Sequence, residues 1–427
     1  MERIERNTEI VRELEDFVRT GFKPSFGRLD GSLETDPIWR RLRELGTELW
    51  LDTGSISDAE KFWTREFSAL TTNNTLLNRE VQTGRYDSLI AEAAGILADY
   101  QDLSKQQRIL EIAFILNACH GLRLVEKFDA FVSVELHTDL AHDIEGTLNY
   151  ARRYYRICPQ RFIVKIPFTP AGLLATRRAA AEGIPINHTL GFSARQNYLI
   201  ARIAKPAFVN VFLGRLNSFA ADNGLGAGTY VGEKATLASQ AAVRDLRGRG
   251  LVRTRQIAAS LRAGPQVRDL AGVDVMTMPP KVAGEFLSLA PAPEQLADKT
   301  AEDYKPGLDD SAAAVLFDSL WDIDDRVIGC VEALEKEDID RFGADDLVDF
   351  FAQHNCADLL VNWTEQQVQT SLAEGKIPRL GNWRDLLESG VIALDSLMTL
   401  AGLNSFTSDQ AAMDHRITQT LADVGFA

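Results

Sequence analysis

The chain has 427 residues, 45% hydrophobic and 25% charged, the balance of an ordinary globular protein able to bury a large core. A formal net charge of −15 speaks against nonspecific binding to nucleic acid or to an anionic membrane, yet leaves room for an anionic small substrate held by local arginines. No stretch approaches the ~20 apolar residues of a membrane span. The charged start Met1-Glu2-Arg3-Ile4-Glu5-Arg6 lacks a signal-peptide apolar region, and Cys119, Cys158, Cys330 and Cys356 lie far apart without CxxC spacing, which together predict reduced thiols in a cytoplasmic protein.

Residues 1–46 read as a helical extension. From there to about residue 290, short apolar runs alternate with helical patterns, the signature of βα units and a parallel sheet. Strand candidates fall at 48–52, 67–72, 130–135, 161–166, 185–190, 207–213, 253–259 and 273–278. Eight in one direction predict a closed (β/α)₈ (TIM) barrel over residues 47–290. The interval 74–128 is long enough for several helices. After the fourth strand, Thr169 can cap a helix, Pro170 suits its first position and Gly183 can close it. Residues 217–250 hold a Gly-rich loop and then a helix. Gly224-Leu225-Gly226-Ala227-Gly228 lacks the preceding strand and the Lys-Ser/Thr of a phosphate loop, so it reads as a flexible loop near the barrel mouth. Past Pro291 and Pro293 the texture becomes acidic and helical through 291–427, a region expected to pack on the barrel. Its charge clusters, such as Asp322-Ile323-Asp324-Asp325, read as solvated faces.

Lys165 interrupts the apolar run Arg161-Phe162-Ile163-Val164-Lys165-Ile166-Pro167-Phe168. Lysine is rarely buried without a partner, and a buried lysine that loses its proton becomes an amine nucleophile able to form a Schiff base. A strand-end lysine reaching out to water is the plainer reading of that segment alone. The other strand ends shift the balance. Barrels of this kind place chemistry at the C-terminal ends of their strands, and those ends carry Asp52, Asn73, Glu135, Lys165, Asn187, Thr189, Asn210, Phe212, Arg215, Ser260 and Arg262. One amine, two carboxylates, several amides and hydroxyls, and two guanidiniums suit Schiff-base aldol chemistry on a phosphorylated sugar. A carboxylate moves protons, amides and hydroxyls orient substrate hydroxyls, and arginines hold a phosphate.

Two rivals follow from the same residues. Glu135, His137 and Asp139 alternate and could share a strand face as metal ligands; against this, Asp139 is expected beyond the strand, and no second histidine cluster exists. His120, His142 and His188 read as structural or surface residues. A non-catalytic barrel serving as a binding module is the other rival. Retention of Lys165, Glu135 and Asp52, all unfavourable to bury, opposes it.

In this order the motifs resemble the transaldolase family of class I aldolases: Leu51-Asp52-Thr53-Gly54, Thr71-Thr72-Asn73, Val164-Lys165-Ile166-Pro167, Asn187-His188-Thr189-Leu190-Gly191-Phe192-Ser193, Phe212-Leu213-Gly214-Arg215, Ala259-Ser260-Leu261-Arg262 and Leu270-Ala271-Gly272-Val273-Asp274-Val275. The likeness runs from about Trp50 to Lys281. It implies transfer of a dihydroxyacetone unit between sugar phosphates, as in the pentose phosphate pathway, with no metal or organic cofactor. Lys165 would form the Schiff base. Glu135 would be the acid/base, acting through a water shared with Thr189, and Asp52 would take the C4 hydroxyl proton. Asn73 and Asn187 would hold the three-carbon unit, with Asn210 beside them, and Arg215, Arg262 and Ser260 would bind phosphate. Phe212 and Glu135 match the group-transferring members, whereas the related direct fructose 6-phosphate aldolases use tyrosine and glutamine. A direct aldolase is the alternative, and the resemblance leaves room for a homodimer. Three positions depart from the family pattern: the stretch Glu135-Leu136-His137-Thr138-Asp139, Asn74 in place of proline, and Asn210 in place of a small serine. Residues 1–46 and 291–427 show no likeness to it.

Overall fold

The computed structural model describes residues 8–27, 33–309, 312–423 and 425. Part of the expected N-terminal helical extension, residues 1–7 and 28–32, lies outside them. Within the described part, that extension contains the helices Thr8–Arg19 and Pro37–Glu44. The second is started by Asp36, whose carboxylate accepts from the N–H groups of Ile38 and Trp39.

Eight strands follow: β1 (Glu48–Asp52), β2 (Phe67–Thr71), β3 (Phe131–Glu135), β4 (Phe162–Pro167), β5 (Ile186–Thr189), β6 (Phe208–Phe212), β7 (Arg255–Ala259) and β8 (Val275–Met278). All neighbours pair in parallel, and β8 closes onto β1, so the sheet is a barrel with helices between its strands. The first expected strand coincides with the observed one, and the other seven differ by one or two residues at their ends. Leu213, for example, leaves β6 at once for the helix Leu213–Asp222. The interval 74–128 holds three helices, Asn74–Gln82, Asp87–Ala98 and Lys105–Phe128.

Side chains alternate in and out along a strand, so the interior fills in layers. At the start of the strands Glu48 accepts from Ser68 Oγ (2.6 Å) and Trp50 Nε1 (2.9 Å) and pairs with Arg255 (2.5 Å). Above that cluster Trp50 meets Phe208 edge to face, with ring centroids 4.9 Å apart. This apolar floor separates the polar residues of the upper layer from the bottom of the barrel. Counting two residues on from Trp50 reaches Asp52, and from Phe208 reaches Asn210. The strand period alone therefore delivers polar groups to the mouth.

The C-terminal region wraps the barrel in helices. The helices Asp325–Leu334 and Ala344–Gln353 build a second apolar cluster against the helices after β4 and β5. The 30-residue helix Leu394–Asp423 is tied to loops at the C-terminal ends of the strands. Asp395 accepts from Ser193 Oγ at 2.7 Å and pairs with Arg195 at 2.8 Å. Thr399 Oγ1 donates to the Leu190 carbonyl at 2.9 Å, Asp409 binds Thr75, and Asp414 faces His137 at 3.2 Å. The loop 224–228 is pinned and does not line the cavity at the mouth. Gly228 N–H donates to Gly307 O (2.9 Å), Gly307 N–H to Thr229 O (2.7 Å) and Asp309 N–H to Leu225 O (2.8 Å), so the expectation of a free loop there is corrected. Among the described residues no helix is long and apolar enough to cross a membrane.

Candidate active site

A cavity of about 640 Å³ opens at the C-terminal ends of the strands. Nine of the eleven residues singled out from the sequence line it: Asp52, Asn73, Lys165, Asn187, Asn210, Phe212, Arg215, Ser260 and Arg262. Lys165 is 4% exposed. Its Nζ stands 3.4 Å from Glu135 Oε1, 3.4 Å from the Thr72 carbonyl and 5.4 Å from the centre of the Phe406 ring. The ammonium is not reaching out to bulk water; it is held inward. Register explains the pairing, because Glu135 and Lys165 are opposite one another on β3 and β4.

Glu135 lies behind the cavity wall, with its second oxygen accepting from the Asn74 N–H at 2.9 Å. Burial pushes its carboxyl above the ordinary range, outweighing the adjacent Lys165 and the Asn74 N–H. Asn74 thus has a use that proline could not supply, since proline has no N–H to donate. Asp52 accepts from Thr71 Oγ1 at 2.7 Å, and Thr71 in turn meets Thr277 Oγ1 at 2.7 Å. Burial also raises the Asp52 carboxyl, opposed by the Thr71 hydroxyl and then by Lys165 and Arg262. A carboxyl held above its unfolded pKa binds protons more tightly in the folded chain, so folding weakens as pH rises past the unfolded value. Replacing Asp52 with Asn is therefore expected to raise Tm at neutral pH. The gain should vanish near about pH 3, where both states are protonated; melts at the two pH values check this.

The amides form a chain: Asn210 Nδ2 donates to Asn187 Oδ1 at 3.0 Å, and Asn187 Nδ2 donates to Ser133 Oγ at 3.2 Å. Asn210 Oδ1 is buried and has no hydrogen-bond partner among the described residues. Asn73 does double duty. Its Oδ1 caps the helix Asn74–Gln82 through the Leu76 N–H (2.8 Å), which leaves its amide nitrogen for the cavity. Thr189 shares the inward face of β5 with Asn187, but its buried hydroxyl touches neither Glu135 nor Lys165. The structure does not join those three directly.

Two arginines close the far side. Arg215 is 5% exposed, and its guanidinium carbon lies 5.3 Å from the Phe212 ring centre and 5.4 Å from that of Phe406. Burial, with Arg262 nearby, pushes its pKa down to about 10. Glycine is required at 214: a Cβ there would lie 2.3 Å from the Ser260 carbonyl and 2.5 Å from Arg262 Cγ. Ser260 itself holds φ +64, a left-handed conformation that costs of order 1–3 kcal/mol in a non-glycine residue. The close approach of these two turns is what brings Arg215 and Arg262 to one wall.

His137 is turned away from Glu135. Its Nδ1 accepts from the Asp139 N–H at 3.1 Å and its Nε2 faces Asp414, while Asp139 lies in the turn Thr138–Leu140 beyond β3. The metal reading of Glu135, His137 and Asp139 therefore has no shared face to rest on. His188 bonds Thr176 through Nδ1 at 2.8 Å and His120 bonds Tyr86 at 2.8 Å, both in the core.

Among the cavity residues that had been given no role from the sequence, Thr71, Arg79, Lys376 and Phe406 bear most on the site. Thr71 lies inward by strand alternation, a signal present in the sequence. Arg79, on the helix after β2, and above all Lys376 and Phe406 from the C-terminal region, have no local pattern that marks them.

A parallel eight-stranded barrel with an inward lysine and two carboxylates at the carboxyl ends of its strands defines the class, a (β/α)₈ barrel whose site occupies the catalytic face of that fold. The profile of the Transaldolase/Fructose-6-phosphate aldolase family matches residues 49–348, and the chain belongs to that family; the likeness therefore runs past residue 290 into the C-terminal region, where the sequence motifs had shown none. It is similar to a probable transaldolase of Thermus thermophilus, 33% identical over 244 residues, covering 56% of this chain and 90% of the relative. It is also similar to a transaldolase of a Nostoc species, 28% identical over 263 residues, 59% of this chain and 77% of the relative. A transaldolase 2 of a Nostoc species is 33% identical over 172 residues, 37% of this chain. That match spans only 44% of the relative's length, and the corresponding match in Nostoc punctiforme spans 42%.

Proposed function

We propose that the protein is a transaldolase, moving a dihydroxyacetone unit from a ketose phosphate, such as sedoheptulose 7-phosphate or fructose 6-phosphate, to an aldose phosphate through a Schiff base on Lys165. The observation that carries this reading is the buried Lys165 Nζ, 3.4 Å from Glu135 and open to the same cavity as Asp52, three amides and two arginines that have no ion-pair partner among the described residues.

The residues take the following parts. Lys165 gives a proton to Glu135, whose buried carboxyl holds it well, and the free amine attacks the C2 carbonyl. Glu135 returns the proton as the carbinolamine loses water; a water shared with Thr189 is the relay. Asp52 then takes the C4 hydroxyl proton as the C3–C4 bond breaks, and the bonding electrons pass into the iminium to leave an enamine. The aldose phosphate departs from Arg215, Arg262 and Ser260, while Asn73, Asn187 and Asn210 keep the three-carbon enamine. An incoming aldehyde is attacked by the enamine carbon, Asp52 returns its proton to the new hydroxyl, and hydrolysis frees Lys165. The chemistry calls on no metal or organic cofactor.

Borohydride added with fructose 6-phosphate should leave a reduced dihydroxyacetone unit on the peptide containing Lys165. Modification elsewhere, or none, would end the proposal. Product analysis with and without an aldehyde acceptor separates transfer from direct aldol cleavage: free dihydroxyacetone released at the same rate in both cases would favour the aldolase. Arg262→Ala removes charge-assisted hydrogen bonds to phosphate worth about 1.5–3 kcal/mol. It should raise KM for phosphorylated sugars by about 10- to 100-fold, with little change for unphosphorylated ones.

A further inference from the structure

Lys376 lies beyond the family match, on a segment for which the sequence offered no role. It lines the same cavity as Arg79, Arg215 and Arg262, and none of these four side chains has a hydrogen-bond or ion-pair partner among the described residues. The other two rim lysines of that cavity are already paired, Lys61 with Asp58 at 2.6 Å and Lys281 with Glu285 at 3.6 Å. We propose that Lys376 and Arg79 complete, with Arg215 and Arg262, a four-cation site for the phosphate of the sugar substrate and set its preference for phosphorylated over neutral sugars. This rests on the transaldolase reading for the identity of the sugar, but not for the anion site itself.

The loop that carries Lys376 is held by hydrogen bonds on both sides. Glu374 accepts from Arg379 N–H (3.1 Å), Asn382 Nδ2 (2.6 Å) and Trp383 Nε1 (2.8 Å), and Gly375 turns the chain at φ +76. Asn223 then clamps the loop from the barrel: its Nδ2 donates to Pro378 O (3.0 Å) and its Oδ1 accepts from Leu380 N–H (2.7 Å). Asn223 ends the helix whose first turn carries Arg215. A single helix thereby positions both the inner arginine and the outer lysine.

Charge supports a dianion. Lys165 and Glu135 offset one another, as do the paired rim residues. The four unpartnered cations face Asp52 and Asp409, which leaves an excess of two positive charges. A phosphate monoester carries about −1.5 to −2 at neutral pH, which matches that excess. Partial burial, and after it the field of Arg215, Arg262 and Arg79, lowers the Lys376 pKa, with Asp409 opposing.

Calorimetric titration of inorganic phosphate into the full chain tests this without turnover. Lys376→Met keeps the stem and removes the charge; it should weaken phosphate binding about 5- to 20-fold, with Arg79→Met behaving similarly and Lys376→Arg staying near wild type. The ratio of kcat/KM for phosphorylated over unphosphorylated sugar should fall by the same factor in Lys376→Met. Phosphate affinity unchanged in Lys376→Met would overturn the proposal. So would Lys376→Arg binding as weakly as Lys376→Met, which would point to a structural role. Failure of borohydride trapping with phosphate binding still dependent on Lys376 would sink the Schiff-base reading and leave the anion site standing.

Discussion

Lys165→Ala is expected to lower turnover by about 10⁵- to 10⁶-fold, the scale seen when the nucleophile of a covalent mechanism is removed, while Tm stays close to wild type. The reason for intact folding lies in the surroundings. Glu135, the partner left behind, already has its carboxyl raised by burial and keeps the Asn74 N–H as a donor. Once the lysine is gone it can take up a proton, so no stranded charge remains in the wall. A small cavity replaces the lysine stem, bordered by Phe406 and open to the substrate space, so the apolar loss is modest. Turnover measured beside a thermal melt, with phosphate titration to show an occupied anion site, reads both halves of the expectation. A variant that turns over normally would remove Lys165 from the chemistry.

Glu135→Gln isolates the proton relay. Glutamine keeps the shape and can still accept from the Asn74 N–H, but it cannot hold and return a proton. General acid–base catalysis of this kind contributes about 10²- to 10⁴-fold, and kcat should fall by that amount. Formation and hydrolysis of the covalent intermediate should slow together, with binding of inorganic phosphate retained, because Glu135 makes no hydrogen bond or ion pair to Arg215 or Arg262 among the described residues. Rapid-quench borohydride trapping would show the slowed accumulation. The wild-type profile of kcat/KM should also contain a carboxyl ionisation displaced above the ordinary range, in keeping with the buried, raised carboxyls of Glu135 and Asp52. Loss of the Glu135 contribution in the glutamine variant would separate the two groups. A Glu135→Gln enzyme with an unchanged rate would assign the relay to another residue.

The C-terminal region changes how the cavity is understood. Phe406 lies between Lys165 and Arg215, within 5.4 Å of each, and Gly402 lets the Leu190 side chain and the Arg215 guanidinium approach the same helix. Ties from Asp395, Thr399, Asp409 and Asp414 to the loops after β2, β3 and β5 hold that helix over the mouth. The Lys165 amine therefore shares its surroundings with residues more than two hundred positions away.

The barrel was legible because its evidence is local. Eight apolar runs separated by helical patterns predict parallel strands, and the period of two along each strand tells which side chains face inward. The same rule places Asp52, Glu135, Lys165, Asn187, Thr189 and Asn210 at strand ends, and Thr71 could have been added by it. Capping at Thr169 and Asn73 likewise depends on residues three apart in sequence. Contacts across the molecule were not legible. Nothing in Gly375-Lys376-Ile377-Pro378 marks a lysine at the barrel mouth; that follows from the clamp by Asn223, more than a hundred and fifty residues earlier. Nor does the sequence around Glu135 reveal that His137 turns away to Asp414, or that the hydroxyl of Thr189 stays clear of both Glu135 and Lys165. Hydrophobic period and helix capping are short-range constraints written into neighbouring residues, so the chain alone determined the barrel and its ring of polar strand ends. Only the folded molecule could decide how the acidic C-terminal helices seat Phe406 and Lys376 over that ring, because such packing depends on the shape and charge of surfaces that exist only once both parts have folded.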